Sequence, residues 1–157
     1  MLSLFIRNLI FTILQPGIVA GLVPFLILDD KRNNPFVQPL QLHHYSGAII
    51  FFIGLAVMLS CIIIFAVKGR GTLSPADPTK KLVISGLYKF SRNPMYVGVT
   101  LILIGESIFF QTINLWIYSL FVFIAFNIFT MLFEEPRLRK DFGEEYNRYC
   151  QKVRRWV

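Results

Sequence analysis

The chain has 157 residues, of which 55% are hydrophobic and only 16% charged, and its mean hydropathy is +0.58. Soluble domains carry about 25% charged residues, so this composition excludes an ordinary soluble domain and indicates a protein that lies in lipid. A net charge of +7 would suggest a nucleic-acid partner in a soluble protein. Here the basic residues gather beside apolar runs, which is typical of a membrane surface, and we predict no nucleic-acid partner.

Four apolar runs are candidates for membrane spans, which need roughly 20 residues to cross the hydrocarbon core. In chain order they cover residues 9–28, 47–67, 95–110 and 113–133. The third run is short, and local thinning of the bilayer can accommodate it. The first run has no clear signal-peptide cleavage site, so we interpret it as a retained helix. These runs predict an all-α integral membrane protein with about four transmembrane helices, in a single membrane domain over residues 1–157.

The connector between the first two runs contains the neighbouring residues His43 and His44. Adjacent side chains on a helix or strand point apart, and no third ligand lies nearby in the sequence. We therefore predict no metal site and interpret both histidines as interfacial polar residues.

The basic residues predict the orientation in the membrane. They concentrate in the connector 68–94 and in the tail after residue 133, whereas the connector 29–46 has two basic residues offset by two aspartates. Basic loops face the cytoplasm, which places both basic segments and both termini inside. The two predicted spans that separate the basic segments form an even number of crossings, so the charge rule and the span count agree.

The third and fourth runs are separated by the short connector "QTIN", Gln111–Asn114. So tight a connector forces antiparallel packing, and these runs are predicted to form a hairpin. The hairpin brings Pro94, near the start of one run, close to Glu134 at the end of the other.

The tail is predicted to form an amphipathic cytoplasmic helix over residues 136–153. Pro136 disfavours helical geometry at Glu135 and suits the first turn of a new helix. Apolar and aromatic residues then recur at helical spacing, at Leu138, Phe142, Tyr146, Tyr149 and Val153. Gly143 lowers helix stability by about 1 kcal/mol relative to alanine, which suggests a packing reason for this glycine.

Three residues inside the predicted spans have weaker interpretations. Glu106 is an ionisable group in a span, which suggests function, although it lies close enough to the external turn to reach the interface. Asn127 is interpreted as a hydrogen-bonding residue between helices. Cys61, and Cys150 in the tail, are interpreted as packing residues that do not pair with each other.

Two polar clusters are predicted at the same cytoplasmic boundary. One is "SGLYKFSRNPMYVG", residues 85–98, and the other is Glu134-Glu135-Pro136. The adjacent carboxylates need donors nearby, and Arg92, Lys89 and the N–H groups at the start of the helix after Pro94 are candidates. Carboxylates together with aromatic faces suit a zwitterionic or cationic nucleotide-like ligand. The alternative is that the acids end a helix and the aromatic residues form an interfacial belt.

The stretches "KKLVISGLYKFSRNPMYVG" and "FEEPRLRKDFGEEYNRYCQKV" resemble the membrane methyltransferases of the isoprenylcysteine carboxyl methyltransferase and phospholipid N-methyltransferase superfamily. The resemblance covers roughly residues 69–153. It implies S-adenosylmethionine as the methyl donor, held in a cytoplasm-facing pocket. It also implies a lipophilic acceptor that enters from the bilayer, such as a membrane lipid, a prenylated molecule or a lipophilic small molecule.

The resemblance also implies site residues. The donor-contacting positions of the superfamily fall on Lys80, Lys81, Leu82, Val83, Tyr88, Asn93, Pro94, Met95, Tyr96 and Glu134. The glutamate pair of the phospholipid branch adds Glu135. Tyr96 and Glu135 are the two candidates to accept a proton from an ammonium acceptor.

The departures from the superfamily pattern leave the acceptor open. Thr130 stands where the eukaryotic prenylcysteine enzymes have a substrate-binding arginine, and "NPMY" with "EEP" is closer to the phospholipid branch. The tail sequence "FGEEYNRY" is closer to the prenylcysteine branch. Our first prediction is an isoprenylcysteine carboxyl methyltransferase-like enzyme, with phospholipid N-methylation as the alternative. A non-enzymatic membrane scaffold and, more weakly, an NADPH-dependent reductase are the alternatives of other classes.

Overall fold

The computed structural model describes residues 16–28, 40–64 and 82–156. Five helices succeed one another in this part of the chain: α1 (Ile18–Ile27), α2 (Leu42–Ile64), α3 (Pro94–Phe110), α4 (Ile113–Phe129) and α5 (Glu135–Lys152). A 3₁₀ turn, Gly86–Lys89, precedes α3, and a π-helical turn, Thr130–Glu134, joins α4 to α5. Lys80, Lys81 and most of the predicted connector 68–94 lie outside the described residues.

The described part of the chain is almost entirely helical and contains no strand, which confirms the all-α class. Two helices are long and apolar enough to cross a membrane: α2, and the continuous helix Ile113–Lys152 that contains α4 and α5. The apolar helices α1 and α3 are shorter. The count of four spans, and the position of the tail against a membrane, stay predictions.

Large apolar side chains cover the outside of these helices. On α2 and α4, Phe52 is 64% exposed and Phe121 is 68% exposed, and many of their neighbours are also exposed. Monomeric soluble proteins rarely expose so continuous an apolar surface. The exposed faces therefore support a helix bundle surrounded by lipid.

Four glycines bring α2 and α3 into backbone contact. Gly47 and Gly54 on α2 face Gly105 and Gly98 on α3, so the two helices run antiparallel. A Cβ atom added to Gly54 would lie 2.7 Å from the Gly98 carbonyl oxygen. Small residues let membrane helices approach closely and gain dispersion contacts, and here both helices repeat glycine at seven-residue spacing.

Helices α3 and α4 form the predicted tight hairpin. α3 ends at Phe110, and Gln111 adopts a left-handed conformation with φ 48°. α4 then begins at Ile113. Between the helices, the Ser107 and Ser119 hydroxyls lie 3.1 Å apart in a buried contact. Neighbouring helices with so short a turn must pack antiparallel, which places the start of α3 beside the end of α4.

Helix α1 packs against this hairpin. Val19 and Ala20 contact a buried cluster formed by Val99, Leu103 and Val122. The Tyr118 hydroxyl donates a hydrogen bond to the Val19 carbonyl oxygen at 2.8 Å. These contacts place Pro16 and Val19 next to the start of α3, where they form one wall of the cavity described below.

The chain does not leave helical geometry before Pro136. Glu135 has φ −63° and ψ −43°, and its N–H donates to the Thr130 carbonyl oxygen. Pro136 cannot donate a hydrogen bond, and its ring crowds the carbonyl oxygen four residues earlier. A π-helical turn widens the helix at this point and relieves that conflict. The expectation that Glu135 would be non-helical is therefore wrong.

Gly143 interrupts α5 for a conformational reason. It has φ 51° and ψ −123° inside the helix, while a Cβ atom added there would meet nothing within 4 Å. This backbone conformation is open to glycine and costly for other residues, so the expected packing reason is wrong. After the kink, Tyr146, Tyr149 and Val153 form a buried cluster, with Leu138 and Phe142 packed against it.

The two histidines lie at the start of α2. His44 Nδ1 accepts a hydrogen bond from the Gln41 N–H at 3.0 Å, and the His44 ring packs edge-on against Phe109. The two imidazole centroids are 4.0 Å apart, so the rings do not point apart as expected for adjacent residues. The described residues contain no group of three or more His, Cys, Asp and Glu side chains suited to a metal ion.

Candidate functional site

Within the stretch 85–98, residues 85–93 fold as a compact elbow in front of α3. Gly86, with φ 61°, allows the chain to enter the 3₁₀ turn, and Pro94 starts α3 with the φ value that its ring fixes. The Ser91 hydroxyl accepts the N–H of Asn93 at 3.2 Å. Tyr88 is buried under this elbow against Cys61 and Val83. The elbow therefore turns the side chains on either side of Pro94 toward the interior.

Burial of Tyr88 keeps its phenol neutral. Desolvation, followed by the nearby Cys61 and Glu134 groups, raises the pKa of Tyr88 far above its usual range. Its carbonyl oxygen also accepts the Tyr149 hydroxyl at 2.6 Å, which ties the 3₁₀ turn to α5. Tyr88 therefore presents a neutral aromatic side chain at a fixed position.

A cavity of about 90 Å³ lies between α1, the elbow, α3 and the end of α4. Its walls combine aromatic, polar and apolar side chains: Pro16, Val19, Tyr88, Arg92, Asn93, Met95, Tyr96, Val99, Phe126 and Glu134. Five of the residues predicted to contact the donor are in this set, namely Tyr88, Asn93, Met95, Tyr96 and Glu134. The structure thus brings together five predicted donor residues that are up to 46 positions apart in the sequence, from Tyr88 to Glu134.

The other predicted donor residues lie around the cavity rather than in its walls. Pro94 is buried at the start of α3, and Val83 packs beneath Tyr88. Leu82 packs against the aromatic cluster of α5. Lys80 and Lys81 lie outside the described residues.

Tyr96 and Glu134 join the two sequence motifs directly. The Tyr96 hydroxyl donates a hydrogen bond to Glu134 Oε2 at 3.0 Å. The Tyr96 ring stacks on Phe126, with centroids 4.5 Å apart and planes inclined by 25°. The start of α3 is thereby fixed to the end of α4, and one wall of the cavity carries a carboxylate beside two aromatic faces.

Glu135 has different surroundings from its neighbour Glu134. It is 6% exposed and does not line the cavity. Arg155 holds it with two bonds, Nε to Oε1 at 2.7 Å and Nη2 to Oε2 at 3.0 Å, and Arg92 Nη1 lies 3.2 Å from Oε1. Hydrogen bonding to Glu135 raises the pKa of Arg155, which keeps the guanidinium charged.

Arg92 connects this ion cluster to the cavity. Its Nη1 atom lies 2.8 Å from Cys150 Sγ as well as near Glu135. Its buried Nε atom has no hydrogen-bond partner among the described residues. Arg92 also lines the cavity, so its positive charge lies beside any ligand that enters there. The sequence interpretation had considered Arg92 only as a partner for the carboxylates.

Several cavity residues were missed at the sequence level. Val99 follows Tyr96 by three positions and Phe126 precedes Thr130 by four, so helical periodicity from the motif residues could have found both. Arg155 could not be found in this way, because its contact with Glu135 spans 20 residues and depends on how the chain returns after α5.

Comparison with known protein families shows to which family the chain belongs. The model of the phospholipid methyltransferase family matches residues 42–145, which include α2, α3, α4 and the first part of α5. This chain belongs to the phospholipid methyltransferase family. The family is part of the isoprenylcysteine carboxyl methyltransferase and phospholipid methyltransferase superfamily of membrane enzymes, so the resemblance seen in the sequence is confirmed.

Other comparisons of this phospholipid methyltransferase family member are less informative. It is 36% identical over 63 residues to an uncharacterized protein of Haemophilus influenzae, a match that covers 40% of this chain and all of that protein. No solved structure matches the chain. Membership indicates a membrane methyltransferase, and members of the family generally use S-adenosylmethionine.

Proposed function

We propose that this protein transfers a methyl group from S-adenosylmethionine to a lipophilic acceptor at the membrane. The observation that carries the proposal is the cavity in which the two sequence motifs meet, with Glu134 bonded to Tyr96 and with Arg92 also in the wall. Membership of the phospholipid methyltransferase family supports the reaction class.

The cavity residues fit the chemistry of this donor. Glu134 can accept hydrogen bonds from an ammonium group or from ribose hydroxyls, and the guanidinium of Arg92 in the cavity wall can pair with a carboxylate. The faces of Tyr96 and Phe126 attract a sulfonium as they attract other cations. A cavity of about 90 Å³ is smaller than the roughly 300–1,000 Å³ of whole-ligand pockets. We therefore assign it to the sulfonium and amino-acid end of the donor.

The donor, when bound, supplies a methyl group already activated by the positive sulfur. The protein then has to align the acceptor with that methyl group and exclude water. The apolar side chains of Val19, Met95 and Val99 in the cavity wall suit the second task. Tyr88 and Tyr96 fix the position of the aromatic walls, because each is also bonded to a residue from another helix.

An ammonium acceptor must lose a proton before methylation, and the Tyr96–Glu134 pair is suited to take it. Tyr96 can accept a proton on its oxygen while it passes its own proton to Glu134, to which it already donates at 3.0 Å. Glu135 is less suited, since Arg155 and Arg92 occupy it outside the cavity wall. We assign Glu135 to positioning.

Two acceptor classes follow from the superfamily. A phospholipid amine is supported by the family match and by Thr130, which is fully buried where the prenylcysteine enzymes have a substrate-binding arginine. A prenylated carboxylate is supported by the tail sequence "FGEEYNRY". Methyl transfer from radiolabelled donor to aminophospholipid vesicles and to a prenylcysteine analogue, each with the protein in nanodiscs, separates the two.

Calorimetric titration of the purified protein with S-adenosylhomocysteine tests the donor site. We expect one saturable site in the wild type and at least tenfold weaker binding in Glu134→Gln, because this change removes the carboxylate charge at the cavity. Glu144→Gln is the matched control on the exposed side of α5 and is expected to bind as the wild type does. The helical circular dichroism of all three proteins should be the same.

The scaffold alternative makes the opposite prediction. If the well-folded wild type binds no S-adenosylhomocysteine in either detergent or nanodiscs, the methyltransferase proposal fails. If Glu134→Gln binds normally, the donor is held elsewhere and the assignment of the cavity is wrong.

A further inference from the structure

The segment Val153–Trp156 returns from α5 to the elbow in front of α3. The Arg92 N–H donates to the Arg154 carbonyl oxygen at 2.9 Å. The Ser91 hydroxyl and the Asn93 side-chain amide both donate to the Arg155 carbonyl oxygen, each at 3.2 Å. Three consecutive residues of the elbow are therefore bonded to two consecutive residues of this segment, which we name the return strap.

The return strap is also fixed to α4. The Trp156 indole N–H donates to Asn127 Oδ1 at 3.0 Å, and its ring lies 5.4 Å from that of Phe123. Asn127 thus bonds to the strap, whereas the sequence had suggested a bond to another helix. Because the strap is held by both the elbow and α4, its position depends on the relative placement of the two cavity walls.

Arg155 connects the return strap both to the elbow and to Glu135. Its backbone oxygen holds Ser91 and Asn93, and its guanidinium holds Glu135 with two parallel bonds. Bidentate pairs of this kind fix geometry as well as charge. Glu135 in turn follows Glu134, the carboxylate of the cavity, so Arg155 is linked to Asn93 on one wall and to Glu134 on the other.

We propose that Arg155 is a positioning residue that sets the distance between the elbow and Glu134, and thereby controls donor binding. The proposal rests on the donor site proposed above. Arg155 does not line the cavity and acts only through Glu135 and the elbow. Its role differs from that of Arg92, which lines the cavity itself.

Arg155→Gln tests this role, with Arg148→Gln as the matched control because Arg148 is exposed on α5. We expect hydrogen exchange at the backbone amides of residues 91–93 and 95–97 to rise at least tenfold in Arg155→Gln and to stay within twofold in Arg148→Gln. We also expect S-adenosylhomocysteine to bind at least tenfold more weakly in Arg155→Gln alone. Unchanged exchange at these amides in Arg155→Gln would overturn the proposal.

Chemical rescue separates positioning from a general loss of stability. Guanidinium added at millimolar concentration should restore donor affinity to Arg155→Ala, and Arg155→Lys should bind with intermediate affinity because one ammonium replaces a two-pronged contact. Restored thermal stability without restored affinity would overturn the proposal.

If the wild type binds no donor, the function proposed above fails, and the exchange experiment still decides whether Arg155 holds the elbow.

Discussion

Tyr96 uses two parts of its side chain for two different tasks. Its hydroxyl bonds to Glu134, and its ring stacks on Phe126. A phenylalanine at this position would keep the stacking and lose only the hydrogen bond. This makes the position well suited to separating packing from ligand chemistry.

Tyr96→Phe is expected to weaken S-adenosylhomocysteine binding about tenfold. Hydrogen bonds to charged groups contribute about 1.5–3 kcal/mol, and without the phenol Glu134 is free to rotate away from the donor. Calorimetry measures the effect, with Tyr45→Phe as the control because Tyr45 is exposed at the start of α2. Wild-type affinity in Tyr96→Phe would mean that this tyrosine serves packing alone.

Glu134 and Glu135 are adjacent and carry the same carboxylate group, but their side chains point to different partners. Consecutive residues in a helix point about 100° apart, since a turn takes 3.6 residues. One carboxylate consequently reaches the cavity, and the other reaches Arg155 and Arg92. The predicted role of Glu135 as a proton acceptor has no support in this arrangement, and we transfer that role to the Tyr96–Glu134 pair as a proposal.

At the scale of elements, the contact between α2 and α3 helps to hold the elbow in position. α2 carries Cys61, which packs against Tyr88, and α3 carries Tyr96. The glycine contacts that join these helices therefore fix two parts of the candidate site relative to each other. They leave no room for even one additional methyl group.

Gly54→Ala is expected to lower the stability of the protein by about 1–3 kcal/mol, the usual range for overpacking a tight interface. In an open helical position the same change would gain up to about 1 kcal/mol of helix propensity. Gly21→Ala in α1 is the control, since a Cβ atom there meets nothing within 4 Å. Denaturant midpoints in detergent compare the two, and a more stable Gly54→Ala would contradict the close approach of the helices.

The junction between α4 and α5 is the second place where element geometry matters for the site. The π-helical turn Thr130–Glu134 adds a residue to the turn in front of Pro136. A π-turn rotates the residues that follow it relative to those that precede it. The directions of the Glu134 and Glu135 side chains therefore depend on this turn. The sequence had predicted a break in the helix at this point instead.

At the scale of the whole molecule, the candidate site, the described residues 82–93 of the basic connector and the start of α5 lie at one end of the helices. The α3–α4 hairpin turn is at the other end, because the elbow precedes α3 and α5 follows α4. The positive-inside rule then predicts that the site faces the cytoplasm and the hairpin turn faces outward.

Single-cysteine labelling in sealed vesicles tests this orientation. In a background without Cys61 and Cys150, Asn114→Cys at the hairpin turn and Glu144→Cys on α5 replace two exposed residues. A membrane-impermeant maleimide should label them from opposite sides, with Glu144→Cys reacting in inverted vesicles. Labelling of both from the same side would contradict a membrane-crossing hairpin.

The sequence by itself determined the helical membrane class, the superfamily, and five of the residues that line the cavity. The helical membrane class depends on the apolar runs, whereas the superfamily and the five residues come from the resemblance carried by two motifs at the ends of neighbouring runs. The short connector between the runs was sufficient to bring Asn93 and Glu134 together, since a hairpin leaves few alternatives.

Only the tertiary structure decided how the two carboxylates divide their roles, and that Arg155 and the walls from α1 belong to the arrangement. Partner choice for a side chain depends on helix rotation and on segments far away in the chain, and composition carries neither. Arg154 and Arg155 are identical in type, yet only the Arg155 side chain meets Glu135, because the strap turns it inward while Arg154 stays exposed.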